Sequence, residues 1–121
     1  MKTAKDPRHI KRIKLLKELF SWQFMPKDKT SKNIKEITAN IQKVDKLIGK
    51  SAPGRPIEQI NKIDLAILRL AVFELIIKVE APPKVVIDEA VELGKEFGAE
   101  SSASFINGAL GKLVEIKKIH T

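Results

Sequence analysis

The chain contains no cysteine. Disulfides, thiolate metal sites and cysteine nucleophiles are therefore excluded together, and the composition suits a reducing cytoplasm. Long hydrophobic runs are missing as well. The longest candidate, Leu65 to Ile77, is interrupted by Arg69 and Glu74, and no stretch approaches the ~20 apolar residues that a membrane span requires. Met1 to Asp6 lack the apolar run of a secretory signal, so a soluble, cytoplasmic location with no membrane partner is expected. Histidine is scarce: His9 and His120 lie near opposite ends, and neither belongs to a helical HxxxH ligand pair. No serine occupies the glycine-flanked turn that exposes a hydrolase nucleophile. Gly49-Lys50-Ser51 carries only the last letters of a phosphate-cradling loop, without the upstream glycine, and reads as a helix stop. No catalysis, cofactor or metal is expected.

What is present is a globular balance with an excess of positive charge. Apolar residues make up 43% and charged residues 31% of the 121 positions, which fits one folded domain over residues 1–121 with one core. The net charge is +8, and it is concentrated. Residues 1–18 hold Lys2, Lys5, Arg8, Lys11, Arg12, Lys14 and Lys17 against only Asp6 and Glu18. Such a localised excess is the footprint of a polyanion-binding surface, nucleic acid above all.

Apolar spacing is helical throughout. From Pro7 to Phe24 the residues Ile10, Ile13, Leu16, Phe20 and Phe24 recur at three and four. This predicts a helix whose charged first turns protrude and whose last turns are buried. A second helix is predicted from Ser31 to Ile48 on the stripe Ile34, Ile37, Ile41, Val44 and Ile48, followed by a loop from Gly49 to Pro56. Pro56 is placed to open a third, central helix with a broad apolar set from Ile57 to Ile76. Pro82-Pro83 separates it from a fourth helix, Lys84 to Phe97, stopped by Gly98. Ser101 or Ser102 is suited to cap a fifth, whose inward set runs from Phe105 to Val114. The expected fold class is all-α.

Two clusters bear on recognition. Asp88, Glu92 and Glu96 line one face of the fourth helix with Glu89 beside them, a pattern of solvated carboxylates able to dock a basic protein. In the first helix arginine supplies planar donors for phosphates, with Phe20 two turns beyond Arg12. Phe97 and Phe105 flank the glycine- and serine-bearing turn where an unstacked base could rest.

The runs ILRLAVFEL (Ile67–Leu75), PPKVVIDEAVELGKEFGAESS (Pro82–Ser102) and FINGAL (Phe105–Leu110), with the opening RHIKRIKLLKELFSWQ (Arg8–Gln23), resemble the NusB transcription antitermination family. The four blocks keep their order and spacing over most of the chain, and the stretch from about Lys27 to Ile57 matches loosely. The resemblance implies two packed helical sub-bundles in one domain, shortened in the middle. It also implies binding of a boxA-like single-stranded RNA, the ribosomal protein NusE as partner, and action on the transcription elongation complex in ribosomal RNA synthesis. By position, Arg8, Arg12, Phe20, Arg69, Phe97 and Phe105 fall among RNA-facing residues, with Lys5, Lys11 and Ser101 beside them. Asp64 and Glu74 fall at partner-facing positions. Ser101 stands where the family often has an acidic residue, Ser104 where lysine is frequent, and Arg55 near a position usually held by tryptophan. Two other readings are an RNA- and protein-interaction module like the accessory domain of ribosomal RNA methyltransferases, and a helix-turn-helix DNA binder, which the acidic fourth helix disfavours.

Overall fold

The computed structural model describes residues 6–26, 30–52 and 54–121. Among them lie six α-helices and no strand: α1 (Pro7–Phe24), α2 (Lys35–Ala39), α3 (Ile41–Ser51), α4 (Lys62–Val72), α5 (Pro83–Phe97) and α6 (Ser102–Ile116). Two sub-bundles, α1–α3 and α4–α6, share one core. α4 is its axis, packing against α1, α3, α5 and α6. Accordingly Leu65, Ala66, Ile67, Leu68, Leu70, Ala71 and Val72 are all buried, so this helix is apolar nearly all round.

α1 starts where Asp6 accepts the Arg8 amide at 2.9 Å and Pro7 supplies a pre-set first turn. Its buried stripe differs from the one that apolar spacing predicts. His9, Arg12, Leu16, Leu19 and Gln23 face inward, whereas Ile10 is 50% and Phe24 57% exposed. The first turns are therefore anchored inward through His9 and Arg12 while Arg8 and Lys11 stay exposed, and Phe24 in the last turn protrudes instead of packing. The cause is pairing. Gln23 donates to the Lys62 carbonyl at 2.8 Å, and His9 and Arg12 meet carboxylates on the other sub-bundle, so inward polar groups are satisfied.

The predicted second helix breaks at Asn40, whose ψ of 14° leaves helical geometry; its side chain donates to the Glu36 carbonyl at 2.8 Å. Of the predicted stripe, Ile34, Ile37, Val44 and Ile48 are nonetheless buried and Ile41, at the break, is half-buried, because a 3-10 turn (Lys32–Ile34) and the two short helices keep the stripe turned to one side. α3 also continues through Gly49 to Ser51, where the Ser51 hydroxyl donates to the Leu47 carbonyl. Pro56 opens only a 3-10 turn, Ile57–Gln59. The chain then extends through Ile60 and Asn61. Asn61 starts α4 reciprocally, its Oδ1 accepting the Asp64 amide at 2.8 Å and its Nδ2 donating to Asp64 Oδ2 at 3.0 Å. Past α4 the helix widens into a π turn, Phe73–Ile77, closed by the Lys78 amide on the Phe73 carbonyl.

α5 and α6 pack closely because Gly94 faces Ala103 and Ile106; a Cβ there would lie 2.9 Å from Ile106 Cδ1. Gly98 does end α5, yet its backbone is extended (φ −92°, ψ −171°), and any residue could adopt it. What excludes a side chain is space, since a Cβ would run into Ser102. Ser101 does not cap α6 by its side chain, and buried Ser102 instead accepts the Ala99 amide at 2.8 Å. Glu89, expected among solvated carboxylates, lies in the core at 1% exposure.

That carboxylate anchors a buried ionic cluster. Arg12 Nη1 donates to Glu89 at 3.3 Å, its Nε and Nη2 grip Glu74 at 2.8–3.2 Å, and His9 Nδ1 lies 3.0 Å from Glu89 Oε2. His9 Nε2 reaches Glu96 at 3.3 Å. The hydrogen bond to Glu89 raises the imidazole above its ordinary value of 6.5, against the opposing effect of burial. The stabilisation from protonated His9 is thus complete below 6.5 and is lost as pH rises through the elevated folded-state value. Thermal unfolding followed across that window should show the melting temperature of the native chain falling relative to His9→Gln. Parallel profiles would disprove the linkage.

Candidate nucleic-acid interface

Three elements converge on a groove of about 740 Å³. α1 contributes Leu16, Lys17 and Phe20, the start of α4 contributes Asn61, Lys62 and Ile63, and the end of α5 contributes Phe97, Gly98 and Ala99. The floor is apolar. The Phe20 ring meets Phe24 edge-on at 5.0 Å, Lys17 Nζ lies 6.0 Å from the Phe97 ring centroid, and Lys62 Nζ lies 6.0 Å from that of Phe24. Ammonium groups thus rim aromatic faces, an arrangement suited to a ligand that alternates flat rings with anions. Asn61 sets this rim, because the turn it caps brings Lys62 to the first position of α4.

The residues expected from sequence divide among four places. Phe20 and Phe97 come together in the groove. Arg8 and Lys11 are exposed, but they line a different opening of about 400 Å³ with Glu36, Glu74, Lys78 and Glu80. Phe105 is half-buried on α6 beneath the Arg55 guanidinium, and Ser101 is exposed on the turn before it. Lys5 lies outside the described residues.

Others face inward, and their expected surface roles need correction. Arg12 is 8% exposed and all three of its nitrogens are bonded to carboxylates. Burial alone would lower its pKa, but Glu74 and Glu89 more than offset this and hold it above the usual value. Arg69 spends its donors on Asp45, at 2.9 and 2.8 Å, and on Gln23, at 3.1 Å, which clamps α1 and α3 to α4. Asp64 is 2% exposed, one oxygen on Asn61 and the other buried with no hydrogen-bond partner among the described residues, so it offers no surface to a basic partner. Glu74 is half-buried and both its oxygens are engaged by Arg12. Sequence reasoning counted Lys17 only as charge, turned Phe24 inward and passed over Lys62. The available signal for Lys62 was Asn61 three residues before Asp64, a cap that places the helix start at Lys62.

Residues 25–115 match the sequence profile of the NusB family. This chain belongs to the NusB family. It is 45% identical over 84 residues to the "Transcription antitermination protein NusB" of Acetivibrio thermocellus, a match covering 69% of this chain and 58% of that protein. The chain spans about half to three fifths of the length of the curated NusB relatives it matches. Solved NusB from T. maritima superposes with a TM-score of 0.81 at 28% identity, over 95% of this chain and 93% of that one. A chain in a crystal structure of a plectonemic RNA supercoil shares the fold, with a TM-score of 0.79 at 21% identity over 94% of this chain and 98% of that one. The NusB blocks quoted above map onto α1, α4 with its π turn, α5 and α6.

The interior placement of Arg12 has a measurable consequence. Arg12→Ala would remove the guanidinium from Glu74 and one cationic partner from buried Glu89, and removal of one partner from a buried pair costs about 3–5 kcal/mol. Chemical denaturation should show a loss of that order; a change below about 1 kcal/mol, the surface-pair range, would place the guanidinium in solvent instead.

Proposed function

We propose that this chain is an RNA-binding transcription antitermination factor whose residues 1–121 act as one domain. It takes a boxA-like single-stranded RNA in the groove between α1, the start of α4 and the end of α5. The observation that carries the reading is the meeting of Phe20 and Phe97 in one groove rimmed by Lys17 and Lys62. Unstacked bases rest on aromatic faces, and the backbone phosphates that join them fall within reach of the ammonium groups. Arg8, Lys11 and Lys14, exposed along α1, extend the positive track beyond the groove.

In cells the factor acts in the cytoplasm on ribosomal RNA transcription. It pairs with the ribosomal protein NusE and joins the elongation complex. Glu36 and Glu80, at the mixed-charge opening that Arg8, Lys11 and Lys78 also line, are the carboxylates offered to that basic protein. The names of the NusB relatives support the transcriptional role.

Titration of a labelled boxA-like RNA and a scrambled control, with and without NusE and at two salt concentrations, tests this directly. The boxA-like strand should bind more tightly, and equal affinities would remove sequence recognition. Replacing Lys17 and Lys62 together by Ala should reduce the salt slope by about two, one for each lost phosphate contact. Phe97→Ala should cost about 1–3 kcal/mol of binding through lost stacking. Unaltered affinity in both variants would show that the groove is not the site.

A further inference from the structure

Arg55 differs from the two interior arginines, Arg12 and Arg69. It is exposed, and among the described residues no carboxylate pairs with it. Its guanidinium carbon nevertheless lies over the Phe105 ring, 4.3 Å from its centroid, well within cation–π reach. The loop that carries it is shaped for this. Gly54 takes a φ of 82°, which side-chain-bearing residues rarely adopt, and the Arg55 amide donates to the Ala52 carbonyl at 3.2 Å to close the turn. Phe105 is fixed from below by packing against the core. The result is a planar cation seated over a ring, whose N–H groups meet no protein acceptor among the described residues.

We propose that Arg55 is a second RNA-contacting residue, pre-positioned by Phe105, that takes a backbone phosphate on its free N–H edge while its outer face extends the ring's stacking surface to a base. The proposal rests on the RNA-binding reading above and extends it across the α5–α6 turn. Phe97 at one end of that turn belongs to the lysine-rimmed groove, and Phe105 at the other belongs to Arg55. The two ends also differ in chemistry. Lysine grips a phosphate as a point charge, whereas a stacked guanidinium presents fixed, planar donors, so the Arg55 end holds the strand in one orientation.

The test uses the full chain and a short fluorescein-labelled single-stranded boxA-like RNA at two salt concentrations, with melting temperatures recorded for each variant. Arg55→Ala, an exposed change, should leave the melting temperature unaltered, weaken binding roughly fivefold and reduce the salt slope by about one. Arg55→Lys should restore the slope but not the affinity, because the charge returns without the plane. Phe105→Leu, which keeps apolar volume, should weaken binding, and combining it with Arg55→Ala should add little further loss, since one residue acts through the other. Unchanged binding in Arg55→Ala, while Lys17→Ala with Lys62→Ala still weakens it, would overturn this proposal alone. Tighter binding in Arg55→Ala would also overturn it, marking the arginine as a cover that competes with bases for the ring. Failure of the native chain to bind the RNA at either salt concentration would overturn both readings.

Discussion

The buried cluster of Arg12, Glu74, Glu89 and His9 is the contact on which the rest of the molecule depends. It joins the first sub-bundle to the second, and its Arg12 and His9 sit on the same helix as Leu16, Lys17 and Phe20 of the groove. Phe20 follows Arg12 by eight residues, about 12 Å along a rigid helix axis. Fixing the arginine between two carboxylates therefore fixes how far the aromatic ring stands from Phe97 on α5. Apolar packing supplies most of the driving force for folding through residues such as Leu19, Ile67 and Leu110. Packing of that kind tolerates sliding between helices. An ionic cluster with three bonded guanidinium nitrogens does not, because a shift of an ångström leaves a charge without its partner.

The clamp of Arg69 on Asp45 does the same service on the far side of α4. α1 is thus registered twice against the central helix, near its start through Arg12 and near its end through Gln23, which bonds both Arg69 and the backbone of Lys62. The second of these bonds matters for the site. It joins the last turn of α1 to the residue that forms one rim of the groove.

The all-helical class was legible, and proline, glycine and three-to-four spacing mark the limits of α1, α5 and α6 clearly, although five helices were expected where six are present. The breaks at Asn40 and Ile60–Asn61 were not legible, since each falls inside an unbroken apolar period and is set by a side-chain hydrogen bond rather than by composition. The groove was half legible. Phe20 and Phe97 were expected at it, but two of the three arginines assigned there, Arg12 and Arg69, are interior, because charge alone does not say whether a cation faces solvent or a carboxylate from a distant helix. Arg12 and Glu89 are 77 residues apart, and nothing local in either segment announces the pair. The acidic stripe on α5 was read as uniform for the same reason, although Glu89 lies one face away from Asp88 and Glu92 and turns into the core.

With Arg12 and Arg69 consumed by the scaffold, only Arg8 and Arg55 of the chain's four arginines remain at the surface, against nineteen lysines in the sequence. The outer cationic field is consequently a field of flexible, strongly hydrated ammonium groups. Such a coat draws polyanions from a distance yet discriminates poorly among their orientations. Directionality must then come from the few rigid planes that the scaffold holds still, and acylation of the lysines would erode long-range attraction while leaving those planes untouched.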